Sequence, residues 1–493
     1  MAAASGVVLA IDAGTTGVRT RAVFADGRPS IADYREFTQH YPQPGWVEHD
    51  AEEIWQSVRA TMQTVCSRIN EPIAAIGITN QRETVVAIDR RTGAPLHRAI
   101  VWQDRRTASR CDELAPHLDL VRNASGLVLD PYFSGSKVEW LLRNTGVSDN
   151  PNVAFATIDA FLIHRLTGGA SFATDVTNAS RTILFDIRTL RWSDELCAMF
   201  GVDQRTLPEV APSSGRIGVT VKDAAIPAGV PVSGVAGDQQ AALFGQACFS
   251  PGSAKNTYGT GSFVLLNVGT KCPAPTSGML TTVAWQLGSK PATYALEGAI
   301  FVTGAAIQWL RDGLNIISAA NEVGPLAESV PDAGGVVVVP AFAGLGSPWW
   351  DAYARGAIFG ITRGTSRAHI ARAVVESMVF QTRDVVDAMT RASGVAIRDL
   401  RVDGGAAVMN LMLQLQADQL GVDVLRPTEL ETTAIGAAYL AGLAEGVWES
   451  TDDIAGRWAL ERRFTPGTDA TTRNSSHAQW LRAVERSRGW VQP

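Results

Sequence analysis

Apolar residues along the chain follow two rhythms: short unbroken runs bounded by Gly, Thr or Asp, and longer stretches with apolar positions three or four apart. The run at 7–12, VVLAID, has no polar alternation, as expected of a strand buried on both faces. "AGTTG" follows, then the partly alternating VRTRAVFAD, so the opening predicts strand, Gly/Thr turn, strand. A dinucleotide-binding unit needs a helix after the glycines, which excludes that reading. Strands are also predicted at 74–79 and 84–89, and the segment from Asp104 to about Leu120 is predicted helical.

The opening pattern recurs at 254–269, where Tyr258-Gly259-Thr260-Gly261 separates two strand-like runs. More strands are predicted at TTVAWQL, ATYALEG and GGVVVVP (334–340). From Ser366 to Ala392, Ile370, Val374, Met378, Val385 and Met389 share one helical face, with Thr365 or Ser366 to cap it and Gly394 to end it. "TTAIGAAYLAGLAEG" predicts a small-residue helix suited to close packing, and a last helix is expected around His477–Arg488. The region 208–232, rich in Pro, Gly and Ser, reads as loops with short strands. In "GVAGDQQAALFG" (234–245), Asp238 reads locally as an N-cap, with Gln239 and Gln240 in the first turn. Two halves that each open on strand, Gly/Thr turn, strand imply a duplicated α/β architecture, with units at 1–247 and 248–493.

Composition narrows the class. At 493 residues, more than one core is required, and 46% hydrophobic with 19% charged residues describes a folded globular chain. A net charge of -6 argues against nucleic acid or an anionic membrane as the main partner. The start lacks a basic segment and reads as a strand, not a signal peptide; no run approaches a membrane span of ~18 apolar residues. The five cysteines, without a C-x-x-C pair, are expected to be reduced thiols in a cytoplasmic protein, with no zinc site.

Gly/Thr turns in both halves allow two readings, tight turns or phosphate cradles whose N–H groups and hydroxyls donate to phosphate oxygens. None of the five lysines precedes Ser or Thr, which excludes a P-loop, and D-F-G and H-R-D are absent. Asp12, at the end of the first strand, is either a turn former or a carboxylate that holds Mg2+ against phosphates. Arg82 and Glu83, with Trp102, Tyr132 and Phe263, would suit a small polyol if they meet: charged groups for hydroxyls, rings for carbon-bound hydrogens. Taken singly, each reads as structural, a surface ion pair or a core aromatic; only their joint assignment points to a site.

The blocks "IDAGTTG", "ITNQRET", "IVWQDRRT", "DPYFSGSKVEWLL", "TNASRT", "AGDQQAALFGQ", "KNTYGTG", "EGAIFVTGAAIQWLRD", "GLGSPWWDAYARGAIFGITRG" and "LRVDGGAA" resemble the FGGY carbohydrate kinase family, from about residue 7 to about 485. They are most similar to its members that phosphorylate glycerol. The resemblance implies an α/β fold of two actin/hexokinase-like (ribonuclease H-like) domains, with the active-site cleft between them. It implies ATP-dependent conversion of glycerol to sn-glycerol 3-phosphate, the first step of glycerol catabolism, with Mg2+, in a cytoplasmic homo-oligomer (dimer or tetramer). By position, Asp12 is the magnesium-associated aspartate, and Thr15, Thr16, Gly17 and Arg19 form the first phosphate turn. Thr260 is the second phosphate contact, with Gly304, Gln308 and Gly405 on the nucleotide side. Arg82, Glu83, Trp102, Tyr132, Asp238, Gln239 and Phe263 form the polyol pocket, and Asp238 is the catalytic base.

Three departures stand out. Met409 occupies the place of an asparagine near the adenine, with Asn410 beside it. "VTVKDAAIPAGVPVSG" lacks the Gly/Lys/Arg loop that binds fructose 1,6-bisphosphate in some members, so that inhibition is expected to be absent. Trp349 and Ala352 replace a commoner tyrosine and proline. Two rivals remain: a family kinase for another polyol or a ketose, such as erythritol or xylulose, and a non-catalytic ATP-binding regulator on the same fold.

Overall fold

The computed structural model describes residues 6–222, 225–276 and 278–491. Its frame is two mixed sheets of one topology. In the first, β1 (Val7–Ala13) forms an antiparallel hairpin with β2 (Gly17–Phe24), and β3 (Ile31–Glu36) runs antiparallel beyond it. On the other side of β1 lie β4 (Ile73–Asn80), parallel to it, then β5 (Ser214–Val219) at the edge and β6 (Pro231–Gly237) between them, parallel to β4. The second sheet repeats the order: β7 (Ser253–Tyr258) with its hairpin partner β8 (Ser262–Gly269), then β9 (Leu280–Trp285) at the edge and β10 (Thr293–Ile300) inside it. Across β7 lie β11 (Asp399–Asp403) and β12 (Asp423–Pro427), both parallel, and β13 (Leu460–Phe464) closes the edge. The unbroken apolar runs became the central strands because both faces of each sheet are covered.

On the first sheet, α1 (Ala51–Cys66) and α2 (Ile158–Leu166) bury Ile54, Trp55, Phe161 and Ile163 against Leu9, Ile11, Ile76 and Ile78. The single turn α3 (Val176–Ala179) lies against β6 and β9, one strand from each sheet. Next, α4 (Asp238–Gly245) follows β6 and α5 (Gly304–Gln308) follows β10. The long α6 (Arg367–Ser393) and α7 (Asn410–Leu420) cover the outer face of the second sheet. As the spacing predicts, α6 starts from a Ser366 capping box completed by His369 and stops at Gly394 with φ 68.

The small-residue helix α8 (Thr432–Ala444) comes late in the sequence yet lies on β1, β4 and β6 of the first sheet, against α4. The approach is so close that a Cβ on Gly436 would stand 1.8 Å from Ala241 O. Together α4 and α8 fill the space between the sheets, in a cluster that joins Val8, Ala10 and Ala236 to Leu265, Ala284 and Ala295.

Three local expectations need correction. The helix predicted from Asp104 begins at Ala108 and breaks into Ala108–Glu113, a 3-10 turn holding Pro116, and Leu118–Ser125, because proline cannot donate the helical bond. The C-terminal helix α9 (Ala470–Ser487) starts seven residues earlier than predicted, where Asp469 accepts from the Thr471 and Thr472 amides. Asp238 is the first helical residue of α4, and Gly237 is its N-cap. The cysteines described are all free, and among the described residues no helix is long and apolar enough to cross a membrane.

Candidate active site

The carboxyl ends of β1, β4 and β6 bring Asp12, Arg82, Glu83 and Asp238 to one rim of the first sheet, where ligands of open α/β sheets gather. Asp12 stands opposite Arg19 across the hairpin. Burial, with the neighbouring Asp238 carboxylate adding to it, pushes the Asp12 carboxyl up to about 7, against the pull of Arg19. The turn between β1 and β2 closes with the Gly14 amide donating to Gly17 O at 3.0 Å. It leaves Thr16 exposed and Thr15 half-buried, and the Trp102 indole donates to Thr15 Oγ1 at 2.9 Å. The aromatic wall and the first turn are thereby tied together. Arg19 reaches this rim but pairs with Glu431, which precedes α8.

Behind the rim is a buried charge network. Arg82 donates through Nη1 and Nη2 to Glu297 Oε2 and Oε1 at 2.5 and 3.1 Å, and through Nη1 to Gln240 Oε1 at 3.2 Å. Its Nε lies 3.0 Å from Asp238 Oδ1. Arg181 donates through Nε to Glu83 Oε1 at 2.5 Å, and its Nη2 lies 3.1 Å from Glu297 Oε1. Burial alone would raise the Glu297 carboxyl, but Arg181 and Arg82 together outweigh it and hold Glu297 down at about 2. For Glu83 burial wins, and its carboxyl stays above the usual range despite Arg181 and Arg82. The Glu83 backbone sits at φ 64, left-handed for a non-glycine, so the network holds a strained peptide in place. Exposure separates the acids: the side chains of Glu83 and Glu297 are 1% and 0% exposed, that of Asp238 31%.

Three rings bound the same space. Trp102 and Tyr132 meet edge to face at 5.6 Å, and Phe263 lies 6.0 Å beneath the Arg82 guanidinium. Burial, chiefly, raises the Tyr132 phenol beyond its ordinary range, so it stays protonated. The segment around α3 supports the pocket from below. Asp175 caps α3 and accepts from the Thr177 hydroxyl at 2.8 Å, while Thr177 Oγ1 accepts from the Gly237 amide at 2.9 Å, fixing the peptide that leads into Asp238.

The residues that the resemblance assigns to the nucleotide converge on the second sheet. Thr260, Gly304, Gln308 and Gly405 all line one cavity of about 590 Å³, with Met409 and Asn410 on its wall. The Gly304 and Ala305 amides donate to Gly259 O and Thr260 O at 3.1 and 3.0 Å, so the start of α5 holds the second Gly/Thr turn. A Cβ on Gly304 would stand 2.5 Å from Gly259 O. Asn410, beside Met409, accepts from Arg426 through Oδ1 at 3.0 Å.

The residues read from the sequence as site residues therefore gather at two places, the rim and the cavity, whereas Trp349 lies elsewhere, its indole donating to Asp384 at 3.3 Å. Sequence reasoning missed Glu297, Arg181 and Lys255. Each lies inside a quoted block ("EGAIFVTG", "TNASRT", "KNTYGTG"), but only the fold shows that these charged groups are buried. Lys255 is fully buried on β7, where burial lowers its ammonium to about 8.

Two mixed sheets built around like hairpins, with a charged rim on the first and a roomy cavity on the second, make a two-domain α/β fold of the kind shared by carbohydrate kinases. The chain belongs to the FGGY family of carbohydrate kinases: the N-terminal domain of that family matches residues 7–245 and the C-terminal domain residues 254–445. It is 54% identical to a glycerol kinase of Symbiobacterium thermophilum over 99% of both chains. It is 52% identical to glycerol kinase 2 of Thermotoga maritima, covering 98% of this chain and 99% of that one. Among solved structures, Plasmodium falciparum glycerol kinase with ADP superposes with a TM-score of 0.93 at 34% identity, over 99% of each chain. A xylulose kinase of Rhodospirillum rubrum, at 22% identity and a TM-score of 0.87, shares the fold.

Proposed function

We propose that this chain transfers the γ-phosphoryl group of ATP to a terminal hydroxyl of glycerol, giving sn-glycerol 3-phosphate and ADP. The observation that carries the reading is the contrast among the pocket acids: Glu83 and Glu297 are sealed among arginines, while Asp238 keeps 31% of its side chain exposed beside Arg82. A carboxylate open to a ligand and steadied by a guanidinium 3.0 Å away suits a general base. The similarity to glycerol kinases along the whole chain supports glycerol as the acceptor, and the ADP held by the Plasmodium relative supports the nucleotide.

In this reading Trp102, Tyr132 and Phe263 enclose the carbon chain, and Arg82, Glu83 and Gln239 orient its hydroxyls. The attacking oxygen bonds to the γ-phosphorus as the bond to the β–γ bridging oxygen breaks, and the hydroxyl proton passes to Asp238. Such transfers have loose transition states, so position and charge neutralisation supply most of the rate. Thr15, Thr16, Gly17 and Arg19 on one side, and Thr260 on the other, hold the phosphates; Gly304, Gln308 and Gly405 hold the nucleoside end. Arg19 must then exchange Glu431 for phosphate.

Asp12 fits a cation. Its carboxyl, forced up to about 7 by burial and by Asp238, ionises readily only beside a positive charge. Among the described residues no group of three or more His, Cys, Asp or Glu could hold a metal alone, which suits an ion carried in on phosphate oxygens. Mg2+ at Asp12 would neutralise charge on the transferring phosphates. Residues 1–247 would supply most of the polyol pocket, with Phe263 and the Arg82 anchor Glu297 coming from 248–493, which would also supply the nucleotide cavity.

The test is ADP release with glycerol, erythritol, xylulose and ribitol, for the wild type and Asp238→Asn. Turnover with glycerol and a fall in kcat of ~10²- to 10⁴-fold in the variant are expected. Turnover with a ketose alone would reassign the substrate, and near-normal activity in the variant would remove Asp238 as base.

A further inference from the structure

Adjacent glutamines at the start of α4 differ in a way the reaction has not yet used. Gln240 is occupied at both ends: Oε1 accepts from Arg82 at 3.2 Å, and Nε2 donates to Thr282 Oγ1 at 3.0 Å. Gln239 is occupied at one end. Its Oε1 accepts from Lys255 Nζ, which also donates to Thr257 Oγ1 at 2.8 Å. An ammonium group carries donors and no acceptor, so the amide atom that meets it is the carbonyl oxygen, and Nε2 is turned away. Among the described residues no group accepts from Gln239 Nε2, and the residue keeps 8% exposure. The lysine itself is sealed, at 0% exposure, on a strand of the opposite sheet.

We propose that Lys255 is a positioning residue: it locks the Gln239 amide so that only its N–H groups face the substrate. This inference rests on the reading of Gln239 as a polyol contact. Its chemical consequence is a direction for the hydroxyl. An oxygen that accepts from Gln239 cannot lend its own proton there, which leaves that proton for the neighbouring carboxylate, Asp238. An amide free to turn would present its oxygen half of the time and draw the proton the wrong way.

A bland reading competes with this one, in which Gln239 only seats a buried lysine and props α4 against β7. Gln239→Glu separates the two, because glutamate still pairs with Lys255 but offers the substrate an acceptor in place of a donor. The expected result is a glycerol KM raised about 10-fold, the scale of one hydrogen bond, with an unchanged ATP KM and an unchanged Tm. Lys255→Met should raise the glycerol KM similarly. In Lys255→Met/Gln239→Ala the loss should be no larger than in Gln239→Ala alone, because the two act as a unit. A glycerol KM in Gln239→Glu equal to the wild type would overturn the proposal, even where Lys255→Met fails to fold. So would losses that multiply in the double variant. Failure of the glycerol reading itself shows separately, as absence of wild-type turnover with glycerol.

Discussion

The rim of the first sheet and the cavity of the second use opposite materials. Behind the rim lie charged side chains: Arg82 and Arg181 of the first half engage Glu83 and also Glu297 of β10, reaching across from the second sheet, within a buried network. At the cavity, four glycines, apolar Ile307, Val408 and Met409, and scattered polar groups such as Thr260, Gln308 and Asn321 line an open space with no comparable buried ion-pair network among the described residues. The difference would suit the two ligands of the proposed reaction. A polyol with few atoms is told apart only by fixed hydroxyl partners, whereas phosphates and a flat base ask for room and N–H groups.

Removing Glu297 is the strongest way to break the comparison. Glu297→Gln leaves two buried guanidiniums facing a neutral amide, and a loss on the order of 3–5 kcal/mol is expected in chemical denaturation at pH 7. The sign follows from a native carboxyl at about 2 against 4.5 for the free group: its contribution is full above 4.5 and fades as pH falls toward 2. A cost below 1 kcal/mol would mean that the rim is no more side-chain-dependent than the cavity.

Gly304→Ala tests the other half. The new methyl must push α5 off Gly259 O, so ATP KM should rise about 10-fold while glycerol KM holds, as read by steady-state kinetics. An equal rise in both constants would show the two regions to be one site energetically.

Asp12→Asn is the finest probe. The native carboxyl titrates at about 7 and the free group at 3.8, so ionising it disfavours the folded state increasingly from 3.8 up to about 7. After a discount for its partial exposure, the nucleotide-free variant should melt about 2 °C higher than the wild type at pH 8 and gain less at pH 5. A gain independent of pH would assign the effect to packing.

Much of this was legible in the residues. Unbroken apolar runs beside Gly/Thr turns located both hairpins, and one apolar face with a serine cap located α6. What stayed hidden is non-local. Glu297 and Lys255 sit on strands of the second sheet whose charged positions look solvent-facing until Arg82, Arg181 and Gln239 of the first half close over them. The Gly237 cap displaced Asp238 by one residue because a glycine at the strand end meets Thr177, a partner sixty residues away in sequence. Pro116 lay inside the segment predicted as one helix, and it is where the observed helix breaks. The packing of α8 on the first sheet has no local sign at all.

That placement of α8 carries a consequence for synthesis. One face of the first sheet, with Val8, Ala10, Ala75 and Ala236, is covered by a helix pair whose second member ends at Ala444. A ribosome adds roughly 5–20 residues per second, so the interval between completing Gly237 and completing Ala444 lasts on the order of ten to forty seconds. Throughout it the nascent first half holds an apolar surface without its lid. The cover over that face comes only from the last fifth of the gene, and a message cut at the midpoint is expected to release a fragment with this apolar face bare.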